Sequence, residues 1–215
     1  MTVYWILLII TAFFAYCMGS LSTISIASVI IYKKNLRRLG SSNVWLSNFR
    51  RIYGWKGFVT LLLTELIKNL LPILLGGLLL GFKDQALVGR AFAGFCIVLG
   101  RLWPVFNRFR GSYGIGALIV AAMGVKVSLG IVALVVYAGF LLYKRSMSLA
   151  CLLSAVSFLL LSAVLIDENI VMLLCIFISL MVIIRLVPKL MLFFKGLEPK
   201  LSFKEDISWK FDQKF

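Results

Sequence analysis

Long apolar runs follow one another along almost the whole 215-residue chain, and they limit the possible folds more than any other feature. Hydrophobic residues make up 62% of the chain, and the mean hydropathy is +1.04. A soluble core could not hide this much apolar surface, because folded soluble proteins present polar groups to water. The sequence therefore predicts an all-α, polytopic membrane helical bundle that forms a single integral membrane domain over residues 1–215.

The apolar runs predict about seven transmembrane helices. The expected spans are Val3–Ile31, Phe58–Gly81, Ala86–Leu102, Ile115–Val125, a run from Lys126 to Tyr143, Ser148–Ile166 and Ile170–Leu186. The fourth and fifth runs are separated only by a turn at Gly124–Lys126. Hydropathy leaves open the alternative that these two runs form one long, kinked helix.

The basic residues indicate how the bundle is oriented. Lys and Arg number 23 against 8 Asp and Glu, which gives a net charge of +15. Seven spans would place the loops 33–57 and 100–117, the turn Lys144–Arg145 and the polar tail 188–215 on one side. Cytoplasmic loops carry an excess of Lys and Arg, so these segments are expected in the cytoplasm and the N-terminus outside. The expected location is the bacterial plasma (inner) membrane, in a multi-pass arrangement.

Several kinds of chemistry are excluded or disfavoured by composition. The chain contains no histidine, which excludes a histidine base, a histidine-liganded metal and a Ser-His-Asp triad. Its four cysteines lie in apolar runs without a CxxC pair and are expected to be core residues. No metal and no cofactor is expected. Nucleic-acid binding is also disfavoured, because the basic loops are short and tied to spans; anionic membrane lipids suit this charge better.

The first polar loop carries groups that suit a phosphate. The basic residues of Lys33–Arg38 are explained by their role in setting the membrane orientation of the chain. That role does not explain the hydroxyl and amide residues that follow. Hydroxyls, amides and a guanidinium gathered near a glycine are typical of phosphate sites. The candidate ligands are Ser41, Asn43, Ser47, Asn48 and Arg51.

The second polar loop and the second span add further candidates. Gly111, Ser112 and Gly114 form a glycine turn that precedes a predicted helix and can aim backbone N–H groups at an anion. Close helix packing is the alternative role for these glycines. Glu65 and Lys68 lie three residues apart on one helix face, where they can pair. Charges inside a membrane indicate either a structural pair or a functional site.

The motifs of both loops resemble those of the bacterial acyl-phosphate:glycerol-3-phosphate acyltransferase (PlsY) family. The family's GSGNxGATNxxR corresponds to Gly40–Arg51, and its GHxWPVFxxFKGGKGVAT corresponds to Gly100–Ala117. Further matches are an acidic residue and a lysine three apart at Glu65 and Lys68, Ser148-Leu149-Ala150, and the Lys-Gly-x-Glu-Pro-Lys pattern at residues 195–200.

The resemblance implies seven spans, an outside N-terminus, and transfer of an acyl group from acyl phosphate to glycerol 3-phosphate, giving 1-acyl-glycerol 3-phosphate in phospholipid biosynthesis. Glycerol 3-phosphate and acyl phosphate are the implied partners, with membrane lipids around them; no protein partner is indicated. No catalytic residue is assigned. The implied substrate-binding set is Ser41, Asn43, Ser47, Asn48, Arg51, Lys68, Gly111, Ser112, Gly114 and Ser148.

Five polar positions of the family motifs are replaced in this chain. The motif histidine is Arg101, the lysine of the glycine turn is Tyr113, and the threonine is Ala117. The late histidine and asparagine correspond to Leu186 and Lys189. These replacements keep a second hypothesis open: a non-catalytic or re-purposed paralogue that binds an anionic lipid or a partner membrane protein.

The predicted orientation can be tested by cysteine labelling. Single cysteines at Ser41, Ser112, Lys83 and Asp167, in a background without the native cysteines, are treated in intact cells with a membrane-impermeant reagent. We expect labelling of Lys83→Cys and Asp167→Cys only, because the basic loops should face the cytoplasm. Labelling of Ser41→Cys from outside would reverse the orientation.

Overall fold

The computed structural model describes residues 2–23, 46–109 and 111–195, without the side chains of residues 46–53 and 58. All regular secondary structure in these ranges is helical, which confirms the all-α prediction. Seven α-helices are described: α1 (Thr2–Ser20), α2 (Leu46–Gly81), α3 (Ala86–Leu102), α4 (Ile115–Val125), α5 (Val127–Lys144), α6 (Met147–Leu165) and α7 (Asn169–Phe194). A short 3-10 helix, Val105–Asn107, follows α3.

The described helices divide between two compact units. The first contains Met1–Leu21 and Lys68–Leu201, and so holds α1, the second half of α2 and all helices from α3 onward. The second contains Ser22–Ile67 and Ser202–Phe215. Its described helical part begins at Leu46 and is interrupted at Gly54, where φ is 75° and ψ is −172°. Only glycine adopts such a conformation readily. Part of the predicted loop 33–57 is therefore helical.

Helix α1 ends at Ser20, so the prediction that the first span continues to Ile31 is wrong for the helix that begins at Thr2. The Ser20 hydroxyl donates to the Gly100 carbonyl at 3.4 Å. The Lys68 ammonium donates to the Leu21 carbonyl. It thus replaces the backbone N–H that would bond to this carbonyl if the helix continued. Hydropathy cannot detect this end, because the apolar run does not stop there.

Helices α4 and α5 are separate, which decides between the two alternatives that hydropathy left open. Lys126 is extended between them, with φ −149° and ψ 120°. A Cβ on Gly130 would lie 2.1 Å from the Met123 side chain. In one continuous helix these residues would be separated by about 10 Å of rise. The chain therefore folds back sharply at Lys126.

Among the described residues, six helical segments are long and apolar enough to cross a membrane, and α4 is shorter. With 11 residues, α4 is about 16 Å long, against roughly 30 Å for the hydrocarbon layer. Eight of its residues are buried: Ile115, Ala117, Leu118, Ile119, Val120, Ala121, Ala122 and Val125. Helices α6 and α7, in contrast, expose large apolar side chains such as Val164 and Ile184. Helix α4 is thus a core element of the first unit. Helix α7 continues past the predicted end at Leu186 to Phe194.

Glycines let α3 approach its neighbours in the first unit closely. A Cβ on Gly89 would lie 2.1 Å from the Gly76 carbonyl oxygen of α2, and one on Gly100 would lie 2.4 Å from the Tyr16 carbonyl oxygen of α1. A Cβ on Gly94 would lie 2.8 Å from Ala121 of α4. Small residues allow such contacts between membrane helices, where hydrophobic exclusion contributes little. Helix α3 is therefore the centre of this unit.

Two hydrogen bonds show how α1 and α3 are oriented relative to each other. The Tyr4 hydroxyl at the start of α1 donates to Gln85 before α3, at 2.7 Å. The Tyr16 hydroxyl near the end of α1 donates to the Trp103 carbonyl after α3, at 2.8 Å. Helices α1 and α3 therefore run in the same direction. The segment that follows α3 therefore begins at the end of the first unit where α1 also ends.

A substitution at Gly89 tests this packing. Gly89→Ala should lower the stability by roughly 1–3 kcal/mol, because the added methyl group meets a backbone carbonyl that cannot turn away. Gly139→Ala is the matched control, since a Cβ there has nothing within 4 Å; it should be neutral or stabilising. The measurement is the midpoint of thermal unfolding in detergent. Equal midpoints for the two variants would contradict the close α2–α3 contact.

Candidate functional site

The glycine turn is held against the end of α3. The Ser112 N–H donates to the Arg101 carbonyl at 3.2 Å. A Cβ on Gly111 would lie 2.2 Å from the Leu102 carbonyl oxygen and 2.4 Å from that of Arg101. Only a residue without a side chain fits there. The first part of the predicted phosphate turn is therefore fixed by backbone contacts to a transmembrane helix.

Gly114 ends the turn and opens helix α4. Its φ is 73° and its ψ is 2°, a left-handed conformation that favours glycine. The Leu118 N–H donates to its carbonyl at 2.8 Å. The N–H groups of the first helical turn have no partners within the helix, and the helix dipole is positive at this end. The turn thus combines two features that attract an anion.

Tyr113 stands inside this turn, and Lys189 of α7 reaches it. The Lys189 ammonium lies 5.3 Å from the centroid of the Tyr113 ring. Both side chains are half-buried, and Tyr113 packs against the apolar core. A separation below about 6 Å is typical of a cation–π contact. The structure therefore places a cation at the turn, although the turn residue itself is neutral.

Ser148 lies in the first turn of α6. Its neighbour Ser146 caps the helix by accepting from the Leu149 N–H at 3.3 Å. Ser148 is 1% exposed. The Ser148 hydroxyl is therefore inside the protein. Ser154 on the same helix is buried too, and its hydroxyl donates to the Ala133 carbonyl at 2.7 Å.

Lys68 and Asn69 place polar groups inside the bundle. Lys68 contacts the Leu21 carbonyl, which ties α2 to the end of α1. Asn69 is 4% exposed, and its side-chain oxygen has no hydrogen-bond partner among the described residues. Glu65 is also buried. Its pairing with Lys68 stays a prediction.

The remaining predicted ligands belong to the first motif. Ser41 and Asn43 lie outside the described residues. Positions 47, 48 and 51 lie on the helical backbone that precedes Gly54. Because 3.6 residues complete a helical turn, these three positions lie within little more than one turn. Their roles as phosphate ligands stay predictions.

Sequence reasoning noted the replacement at Lys189 but did not show where its charge lies. Residues 113 and 189 are far apart in the chain, and no spacing rule connects them. The signal in the sequence is that both positions depart from the family motifs: position 113 has tyrosine in place of the motif lysine, and position 189 has lysine in place of the motif asparagine. Only the packing of α7 against the turn shows that the two changes meet.

Comparisons with known proteins agree with the motif resemblance. The profile of the glycerol-3-phosphate acyltransferase family matches residues 9–196. The glycerol-3-phosphate acyltransferase of Thermoanaerobacter pseudethanolicus is 27% identical over 199 residues, which is 93% of this chain and 98% of the relative. The enzyme of that name from Pseudomonas putida is 34% identical over 152 residues, or 70% of this chain and 76% of the relative.

The fold is similar to solved structures of PlsY (YgiH), an integral membrane glycerol 3-phosphate acyltransferase. Its glycerol 3-phosphate form matches with a TM-score of 0.75 at 27% identity, covering 91% of this chain and 96% of that chain. Its lysophosphatidic acid form gives a TM-score of 0.76 at 26% identity, covering 92% and 97%.

A profile match over most of the chain, relatives of similar length and a shared fold lead to one conclusion. They confirm the resemblance that the loop motifs indicated, and with it a multi-pass membrane protein. The chain belongs to the glycerol-3-phosphate acyltransferase family of integral membrane enzymes.

Proposed function

We propose that this chain transfers an acyl group from an acyl phosphate to glycerol 3-phosphate, and so forms 1-acyl-glycerol 3-phosphate for phospholipid synthesis. The observation that carries the proposal is the family match over residues 9–196. The anion-attracting turn at Gly111–Gly114 supports it, since both substrates carry phosphate. The relatives are named for this activity, and they favour it over a non-catalytic paralogue.

The reaction needs little from the protein beyond positioning and charge. An acyl phosphate is a mixed anhydride. A hydroxyl of glycerol 3-phosphate attacks its carbonyl carbon, the bond from that carbon to the phosphate oxygen breaks, and inorganic phosphate leaves. The hydroxyl proton passes to a phosphate oxygen of the bound substrates, so no side chain is required as the base. The rate then arises from orientation and from donors aimed at the developing charge.

The two motifs have different roles in this proposal. Ser41, Asn48 and Arg51 hold the phosphate of glycerol 3-phosphate, with Asn43 and Ser47 beside them in the motif. The guanidinium fork of Arg51 suits two phosphate oxygens better than an ammonium does. The support for this assignment is the family motif.

The glycine turn is assigned to the acyl phosphate through the N–H groups at the start of α4, while the bond from the Ser112 N–H to the Arg101 carbonyl fixes the turn. Backbone donors fixed at the start of the buried helix α4 need no rearrangement when charge develops on the leaving phosphate, which is the condition for strong electrostatic stabilisation. Ser148 completes this assignment through the family motif, and Lys68 places a cation near the end of α1.

The charge pattern supports the proposed location and orientation. The basic loops and tail would face the cytoplasm, where both substrates occur, and the N-terminus would lie outside the bacterial plasma membrane. The whole chain would act as one membrane domain, with membrane lipids covering the exposed apolar faces of helices such as α5 and α6.

Complementation tests the proposed activity. The chain is expressed in a bacterial strain that lacks its own acyl-phosphate-dependent acyltransferase, and 1-acyl-glycerol 3-phosphate is measured directly. We expect growth, with formation of the product dependent on glycerol 3-phosphate. Arg51→Lys should lower product formation on the order of 100-fold, because lysine keeps the charge but loses one of the two donors of the guanidinium fork.

Arg50→Lys is the matched control, because it makes the same change one residue earlier and should have little effect. Absence of product from a chain that is expressed and inserted in the membrane would contradict the proposed function. Equal, small effects of the two arginine changes would remove Arg51 from the phosphate site while leaving the activity in place.

A further inference from the structure

The turn Gly111–Gly114 has a neutral residue where the family motif has a lysine, yet a cation lies beside it. The ammonium of Lys189 is 5.3 Å from the ring centroid of Tyr113. Lys189 stands where the family motif has an asparagine. The two positions meet in the folded chain, so a charge lost at one is regained at the other.

The register of α7 explains why Lys189 arrives at this point. A Cβ on Gly114 would lie 3.6 Å from a methyl group of Val182. Val182, Leu186 and Lys189 are spaced by four and three residues, so they share one helix face. Val182 and Leu186 are fully buried in the apolar core. The same face therefore passes under the turn and brings Lys189 to it.

The contact with Tyr113 suits a cation that is held in place but still able to bind a ligand. A cation–π contact at a half-exposed site is weak, whereas a hydrogen bond between an ammonium and a phosphate oxygen is charge-assisted and strong. An ammonium also has three donors on a flexible stem. The ring limits where this stem can go, and a phosphate at the turn would outcompete the ring.

We propose that Lys189 is the substrate-binding cation of the glycine turn, held there by the Tyr113 ring, so that α7 supplies the charge that the turn itself lacks. This inference rests on the proposed function. The ligand is a phosphate group, and it can come from the acyl phosphate or from glycerol 3-phosphate. In the first case Lys189 stabilises the leaving phosphate; in the second it anchors the acceptor.

The test exchanges the two residues. Lys189→Asn, Tyr113→Lys and the double variant are assayed for acyl transfer in membranes, with KM measured separately for each substrate. Lys189→Asn should lower kcat/KM on the order of 100-fold. Tyr113→Lys alone should not raise activity, because it brings two ammonium groups together. The double variant should exceed Lys189→Asn by at least about tenfold, which is the signature of coupled residues.

Two further variants test whether the effect of Lys189→Asn comes from the charge and its position. Lys189→Arg should retain much more activity than Lys189→Asn. Lys144→Asn is the matched control: Lys144 also lies over a tyrosine ring, at 5.0 Å from the centroid of Tyr143, but it is exposed at the end of α5. Its activity should equal that of the wild type. If Lys189→Asn raises the KM for one of the two substrates and leaves the other unchanged, the affected substrate is the one whose phosphate Lys189 binds.

Thermal stabilisation by inorganic phosphate provides a readout that does not depend on activity. The wild type should be stabilised, and Lys189→Asn should lose most of that shift while keeping its phosphate-free midpoint. If the wild type transfers no acyl group but this difference is found, the proposed function fails and the phosphate contact of Lys189 stands. If Lys189→Asn matches Lys144→Asn in both assays, or the double variant gains nothing, the inference is overturned.

Discussion

The contact on which the first unit depends most is the close approach of α3 to its neighbours at glycines. Gly89 meets the backbone of α2, Gly94 meets α4, and Gly100 meets the backbone of α1. Water cannot drive helices together inside a bilayer, so such contacts rely on dispersion and close fit. An added methyl group at any of these positions would separate a helix pair. The position of the loop after α3 follows from this packing.

The glycine turn takes its geometry from that loop. Ser112 donates to the last turn of α3, and Gly111 lies directly on the carbonyls of Arg101 and Leu102. Helix α4 then starts at Gly114 and is buried along most of its length. A turn supported on both sides by packed helices keeps its N–H groups in place without a substrate. Such preorganisation is the property that electrostatic catalysis needs.

The packing of α7 explains three of the five replaced polar positions, Tyr113, Leu186 and Lys189. Leu186 lies in the apolar core, so the late motif position has become a packing residue. Lys189, three residues later, carries a charge to the Tyr113 ring. The charge at the turn is therefore moved to another helix.

Much of the fold could be predicted from hydropathy and charge, because a bilayer demands long apolar helices with satisfied backbones. The break between α4 and α5 was one of two open alternatives, and Lys126 was its only polar signal. The end of α1 at Ser20 was missed, since it depends on hydrogen bonds with other helices. The glycine turn was predicted from its residues. The contact between Tyr113 and Lys189 was not, because it depends on how α7 packs.

The most direct test is an experimental structure of this chain with a non-hydrolysable acyl phosphate analogue and glycerol 3-phosphate bound. We expect a phosphate oxygen within hydrogen-bond distance of the N–H groups at the start of α4, with the Lys189 ammonium on the same phosphate group. Phosphate bound elsewhere, with Lys189 still stacked on Tyr113, would contradict this account of the site.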